Sequence, residues 1–255
     1  MKLKLTFLLG LVSVLSAFGF SPYENRLLAG ETTHVALIAA AKEGEVEELR
    51  ATLDSLTEKK PTKAFKKEKI SNLSSYSKEL QGKTWFMVYF DYDGEDYLEA
   101  VNAFEAVSHA KTIKPLLAPH PRAARYGTQW LQMEWMTYIR GSQKEGDPTS
   151  RLAMTTRIKP EKEQEYRMLH QTVWPGVVDQ MARGNTRDFS IFFVELGDEL
   201  YEFFYMESLS TDSAKDGEMN NADPFNQRWW KITDACQKPL PDANGAWSMM
   251  NKTSD

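Results

Sequence analysis

The sequence predicts an α+β chain made of two tandem copies of one strand, helix, strand, strand, helix, strand unit, packed as an intramolecular pseudo-dimer. Three observations carry this expectation. From Arg151 onward, period-two and helical patterns alternate in that order. The preceding stretch repeats the order at a shift of about 117 residues. Between the two lies 141-GSQKEGDPTS-150, whose Gly, Ser, Pro and charge make it a linker.

In the second copy, Leu152 to Ile158 reads as a strand. Pro160 suits the first turn of a helix, with Glu161, Glu163 and Glu165 at the favourable end of its dipole. The helix is expected to run to about Met181 and stop at Gly184-Asn185, with Pro175 bending it at Val173 or Trp174. The runs 188-DFSIFFVEL-196 and 199-ELYEFFYMES-208 form a hairpin across Gly197-Asp198. A second helix covers roughly Asp223 to Cys236, and a last strand surrounds Trp247. This order is the ferredoxin-like split βαβ unit.

The first copy can be laid on the second. Val35-Ala36-Leu37-Ile38 falls on Leu152-Ala153-Met154-Thr155, and Trp130-Leu131-Gln132-Met133 on Trp247-Ser248-Met249-Met250. Lys83-Thr84-Trp85-Phe86 falls on Glu199-Leu200-Tyr201-Glu202 at one residue less. The expected organisation is a leader at 1–19, a degenerate repeat at 33–140, a linker at 141–150 and the second repeat at 151–250.

The leader expectation rests on Lys2 and Lys4, the apolar run Leu5 to Leu15, and a small-residue exit at Ala17-Phe18-Gly19. A membrane anchor competes, but the run is short for a span and broken by Ser13 and Ser16. Cleavage near Gly19 and export, secreted or periplasmic, is the favoured reading. It leaves about 235 residues, enough for a proper core. A net charge of −5 with dispersed lysines and arginines gives no nucleic-acid footprint. The lysines of 59-KKPTKAFKKEK-69 read as a solvated face. Cys236, the one cysteine, excludes a disulfide framework and Cys-rich zinc sites. His34, His109, His120 and His170 lack metal-ligand spacing, and 91-DYDGED-96 has its glycine at the fourth position rather than the sixth of a calcium loop, so it reads as a turn.

Within 166-YRMLHQTVWPGV-177, Tyr166, His170 and Trp174 stand four apart, so on one helix they line one face. Any one alone is more often a core or interface group. The pair Trp229-Trp230 diverges by about 100° on a helix, so both cannot fill one core slot. The repeat sharpens the choice: Tyr166 falls on Leu49, His170 on Leu53, Trp229 on Thr112 and Trp230 on Ile113. The first copy keeps the packing pattern and drops the unusual side chains.

These residues resemble the L-rhamnose mutarotases. The similar features are the Tyr-x-x-x-His-x-x-x-Trp-Pro helix (Tyr166, His170, Trp174, Pro175), the strand with Ser190-Ile191, the strand ending in Glu207, and the Arg228-Trp229-Trp230 run. The resemblance spans Arg151 to Met250. It implies a dimeric α/β-barrel type of ferredoxin-like fold, no metal or organic cofactor, His170 as proton donor, and Tyr166, Trp229 and Trp230 around a sugar. Trp174 and Phe189 complete the expected sugar contacts. Two positions depart from the pattern: Phe189 stands where the family often has Tyr, and Gly176 where it tends to have Glu.

The expected activity is interconversion of the α and β anomers of L-rhamnose or a related 6-deoxy sugar, with His170 and Tyr166 moving protons and indoles covering the C–H face of the ring. A non-catalytic sugar-binding or interaction module is one alternative. A cofactor-free monooxygenase or haem protein of the same fold is another, with His170 as axial ligand; fold alone licenses none of these. The expected assembly is a monomeric pseudo-dimer or a homodimer, with a small-molecule sugar as partner and neither nucleic acid nor, after leader cleavage, a membrane.

Overall fold

The computed structural model describes residues 32–253 except 95 and 143; the leader expectation for 1–19 lies outside these residues. The first copy runs β1 (Thr32–Ala40), α1 (Val46–Ser55), α2 (Lys59–Lys67), β2 (Ile70–Leu80), β3 (Lys83–Asp93), α3 (Tyr97–Ala106), α4 (Ser108–Ile113), α5 (Pro121–Ala124), β4 (Leu131–Gln132) and β5 (Glu134–Arg140). The second runs β6 (Ser150–Ile158), α6 (Glu163–Gln171), α7 (Pro175–Arg183), β7 (Thr186–Leu196), β8 (Glu199–Ser208), α8 (Ser213–Ala222), α9 (Pro224–Cys236), β9 (Gln237–Lys238), β10 (Ser248–Met249) and β11 (Asn251–Lys252).

Two antiparallel sheets result, ordered β11-β2-β3-β1-β4 and β10-β6-β8-β7-β5, with β9 also on β6. The copies exchange their ends. Each last strand first pairs with its own sheet, then crosses to the other: β4 pairs with β1 and β5 with β7, while β10 pairs with β6 and β11 with β2. The registers repeat as well as the order. Leu37 faces Gln132 as Met154 faces Met249, a shift of 117 at both ends. Glu134 faces Phe193 as Asn251 faces Ser77.

Strand alternation sends one face of each sheet inward and the other to helices. Ala36, Ile38, Trp85, Met87 and Tyr89 of one sheet meet Ala153, Phe192, Val194, Tyr201, Phe203 and Tyr205 of the other in one core. Tyr89 and Tyr205, which occupy equivalent places in the two copies, stack at 3.6 Å between centroids and 14° between planes. Their hydroxyls each donate over 2.8 Å to the carboxylate two residues on, Asp91 and Glu207. Asn72 donates to both carboxylates, so the seam has a polar end as well as an apolar middle.

The helix expected from Pro160 to Met181 is two helices. Residues 160–162 form a 3-10 turn, α6 ends at Gln171, and α7 starts at Pro175. Pro175 therefore opens a helix, where its missing N–H costs nothing, and does not bend one. The first copy breaks at the matching place, between α1 and α2, with Lys59 and no proline at the first position. The break belongs to the fold. A helix not expected from the sequence, α8, precedes α9; Asp212 caps it by accepting from the Lys215 N–H. Asp223 caps α9 through the N–H groups of Phe225 and Asn226.

Because the sheet face that would otherwise seek a partner is covered within the chain, sedimentation equilibrium is expected to return a mass near 29.2 kDa or less. Tyr205→Ala removes half of the central stack and is expected to cost about 3–5 kcal/mol of stability in urea unfolding.

Candidate functional site

On the helix side of the second sheet lies a pocket of about 480 Å³. Much of its wall comes from Tyr166 and His170 on α6, Val177, Gln180 and Met181 on α7, Phe189 and Ile191 on β7, Phe204 and Met206 on β8, and Trp229, Trp230 and Thr233 on α9. The loop 244–247 closes one side with Trp247. Ile139 also lines it, and it comes from β5, the strand contributed by the first copy. Thr137 of the same strand donates to the His170 carbonyl at the end of α6. The second copy's pocket is thus finished by the first.

His170 is 5% exposed and Tyr166 1%. Their rings stack at 4.2 Å, and the edge of His170 meets Trp229 at 5.1 Å. His170 Nδ1 lies 3.0 Å from the Tyr166 carbonyl. A carbonyl only accepts, so Nδ1 carries the proton and Nε2 the lone pair. Burial lowers the imidazole to about 4, against the hydrogen bond to the Tyr166 carbonyl, which raises it. The ring is neutral at neutral pH.

Trp229 is buried and Trp230 is 37% exposed, so one forms the wall and the other the mouth. Phe189 lines the pocket against Phe204, 5.0 Å between centroids. Trp174 stands elsewhere: it immediately precedes α7, meets Trp229 edge-on at 5.4 Å from outside the pocket, and carries the Arg228 guanidinium over its ring at 5.6 Å. The four-residue series breaks because α6 ends before it. Gly176 lies under Phe225, whose ring atoms would stand 2.7 Å from an added Cβ, so a glutamate there requires that ring to move.

Several residues at the pocket escape a reading by motif. Gln180 Nε2, Asn220 Oδ1 and Gln237 Oε1 are buried with no hydrogen-bond partner in the protein, and all three residues line the cavity. Buried polar atoms of this kind are costly unless something binds them. Gln180 could have been found from its spacing to Val177 on the buried side of α7. Glu202 is fully buried beneath Tyr166, whose hydroxyl shares a 2.5 Å hydrogen bond with its Oε1, with Gln237 Nε2 donating to Oε2 at 3.3 Å. Burial pushes its carboxyl up to about 8, more than these two hydrogen bonds pull it down. Its sequence signal was a charge on the strand face shared with Phe204 and Met206. Among the described residues, no three His, Cys, Asp or Glu side chains gather as metal ligands, and no helix is long and apolar enough to cross a membrane.

The two buried groups give stability opposite pH slopes. From about 6.5 down to about 4 the unfolded chain gains a proton that folded His170 refuses, so stability falls with acid. From about 4.5 up to about 8 the unfolded chain loses a proton that folded Glu202 keeps, so stability falls with base. They offset each other between 4.5 and 6.5, leaving the Glu202 slope alone up to 8. Urea unfolding at pH 6.5 and pH 8 is therefore expected to show wild type losing about 2 kcal/mol more than Glu202→Gln over that interval.

Comparison with known proteins places a family on this region. The model of L-rhamnose mutarotase matches residues 151–253. An L-rhamnose mutarotase of Oceanobacillus iheyensis is 27% identical over 85 residues, covering 33% of this chain and 77% of that protein. One of Flavobacterium johnsoniae is 28% identical over 92 residues, covering 36% and 81%. A solved structure from Fusobacterium nucleatum, described as a candidate monooxygenase, covers 88% of this chain and 93% of its own at 12% identity and a TM-score of 0.48. The sequence match and the pocket coincide: the second copy, residues 151–253, carries the pattern of the L-rhamnose mutarotase family.

Proposed function

We propose that the protein interconverts the α and β anomers of L-rhamnose or a related 6-deoxy sugar in the pocket of the second copy. The observation that carries this is the neutral, buried imidazole of His170 stacked on the Tyr166 phenol in a cavity of about 480 Å³. Mutarotation needs a proton taken from the anomeric hydroxyl and one given to the ring oxygen as the C1–O5 bond breaks. His170 Nε2, holding the lone pair, takes the first. Tyr166 is the hydroxyl in the same wall that gives the second. The aldehyde rotates about C1–C2, the ring closes on the other face, and both protons return. His170 is thus base in opening and donor in closing. General acid–base help of this kind contributes about 10²–10⁴-fold.

The rest of the wall suits a deoxy sugar. Trp229, Trp230 and Trp247 offer ring faces to C–H groups. Phe189, Ile139 and Phe204 form an apolar patch fit for a methyl group. The open hydrogen-bonding positions of Gln180, Asn220 and Gln237 suit ring hydroxyls.

Exchange NMR on the anomeric protons of L-rhamnose is the direct test. Wild type is expected to accelerate exchange and His170→Ala to lose about 10²–10⁴-fold of it; equal acceleration by both removes His170 from the chemistry, and binding without exchange by wild type makes the protein a sugar-binding module. Gln180→Leu is expected to weaken rhamnose binding by about 1–3 kcal/mol, read as a rise in KM.

A further inference from the structure

Glu202 has no task in the scheme above, yet it is buried in the most demanding place a carboxyl can occupy. It sits on β8 with Tyr166 from α6 on its Oε1 and Gln237 from β9 on its Oε2. Its other neighbours are Thr156 of β6 and Phe193 of β7, paired across the strands, and the Cys236 thiol. No cation is among the groups that set its protonation. The chain contains its own control for packing. The residue of β3 equivalent to Glu202 is Phe86 and the residue of α1 equivalent to Tyr166 is Leu49, both fully buried in the first copy's core. The same sheet and helix close without either polar group, and the two polar groups occur together, beside the His170 pocket.

We propose that Glu202 is the proton reservoir of the site, acting through Tyr166 to supply the proton that the sugar ring oxygen receives. This rests on the mutarotase reading. With Glu202 neutral, its O–H donates to the Tyr166 oxygen, and the phenol proton is free to pass to O5 as the C1–O5 bond breaks. Tyr166 regains a proton from Glu202, which becomes a carboxylate while His170 becomes an imidazolium. Ring closure reverses each transfer, so no proton is consumed. With Glu202 ionised beforehand, the carboxylate holds the phenol O–H on itself at 2.5 Å and the ring oxygen lacks its donor. Burial keeps the neutral form in place at neutral pH, with the transition at about 8. Glu202 is therefore a positioning and proton-supplying residue, with Tyr166 as the group that meets the sugar.

The test is the pH profile of L-rhamnose anomer exchange between pH 6 and 10, corrected for the uncatalysed rate, for wild type and Glu202→Gln. Wild type is expected to fall about tenfold per pH unit above the Glu202 transition. Glu202→Gln is expected to be slower at pH 7 by about 10²-fold and to lose the alkaline limb, while saturation-transfer binding of rhamnose stays within about twofold. Should Glu202→Gln not fold, as judged by near-ultraviolet circular dichroism, Tyr166→Phe is expected to lose the same limb. An unchanged limb in Glu202→Gln, or in Tyr166→Phe where that variant stands in, overturns this proposal alone, as does a wild-type rate at pH 7. Wild type with no exchange at any pH overturns the mutarotase reading and this proposal with it.

Discussion

Everything in this molecule depends on a sheet whose two faces are both apolar. Helices cover one face; the other must meet a second sheet or lie exposed as a patch too large for a lone domain. Here the chain supplies the second sheet itself. The seam is built from side chains in register, with Tyr89 stacked on Tyr205 at its centre and the Asp91–Asn72–Glu207 cluster at its end. Arg187 and Arg151 join that cluster, so the buried Glu207 carboxylate is held below its ordinary range by its donors despite burial. An interface of this kind resembles a domain core more than a contact between partners.

Exchange of the last strands ties the halves together more firmly than face packing alone. Once β5 leaves its own sheet for the edge of β7, the first copy becomes part of the second copy's pocket. Ile139 lines it, Thr137 holds the end of α6, and Glu134 receives both terminal nitrogens of Arg167. The first copy, which has Leu49 and Leu53 where the second has Tyr166 and His170, therefore still helps to build the second copy's pocket. Its helix side is filled at the equivalent place by Leu49, Leu53, Phe86, Phe104 and Ile113.

The open copy holds two ionisable groups that burial drives to neutrality in opposite directions. His170 loses its proton readily and Glu202 keeps its own, with Tyr166 in contact with both. In the proposed reaction, two groups pushed apart in this way would serve as base and proton source. Groups that start neutral also suit a buried position, where a standing charge would have to be compensated.

Much of this was written along the chain. Alternation in 188-DFSIFFVEL-196 and 199-ELYEFFYMES-208 determined the strands, their turn and which residues face the helices, because side chains on a strand have a period of two. The repeat determined that there are two sheets, and the contrast of Tyr166 and His170 with Leu49 and Leu53 marked the copy with the pocket. What local pattern could not determine depends on distance in sequence. The break before Pro175 is decided by how α6 and α7 must each lie on the sheet, and it moved Trp174 out of the pocket. The crossing of β5 and β11 is decided by which edge is free in the other sheet. Glu202 meets Tyr166 across 36 residues and Gln237 across 35. Propensity acts over one turn or one strand; the depth of a carboxyl, and hence its proton, is decided only when the sheet, the helix and the last strand close over it.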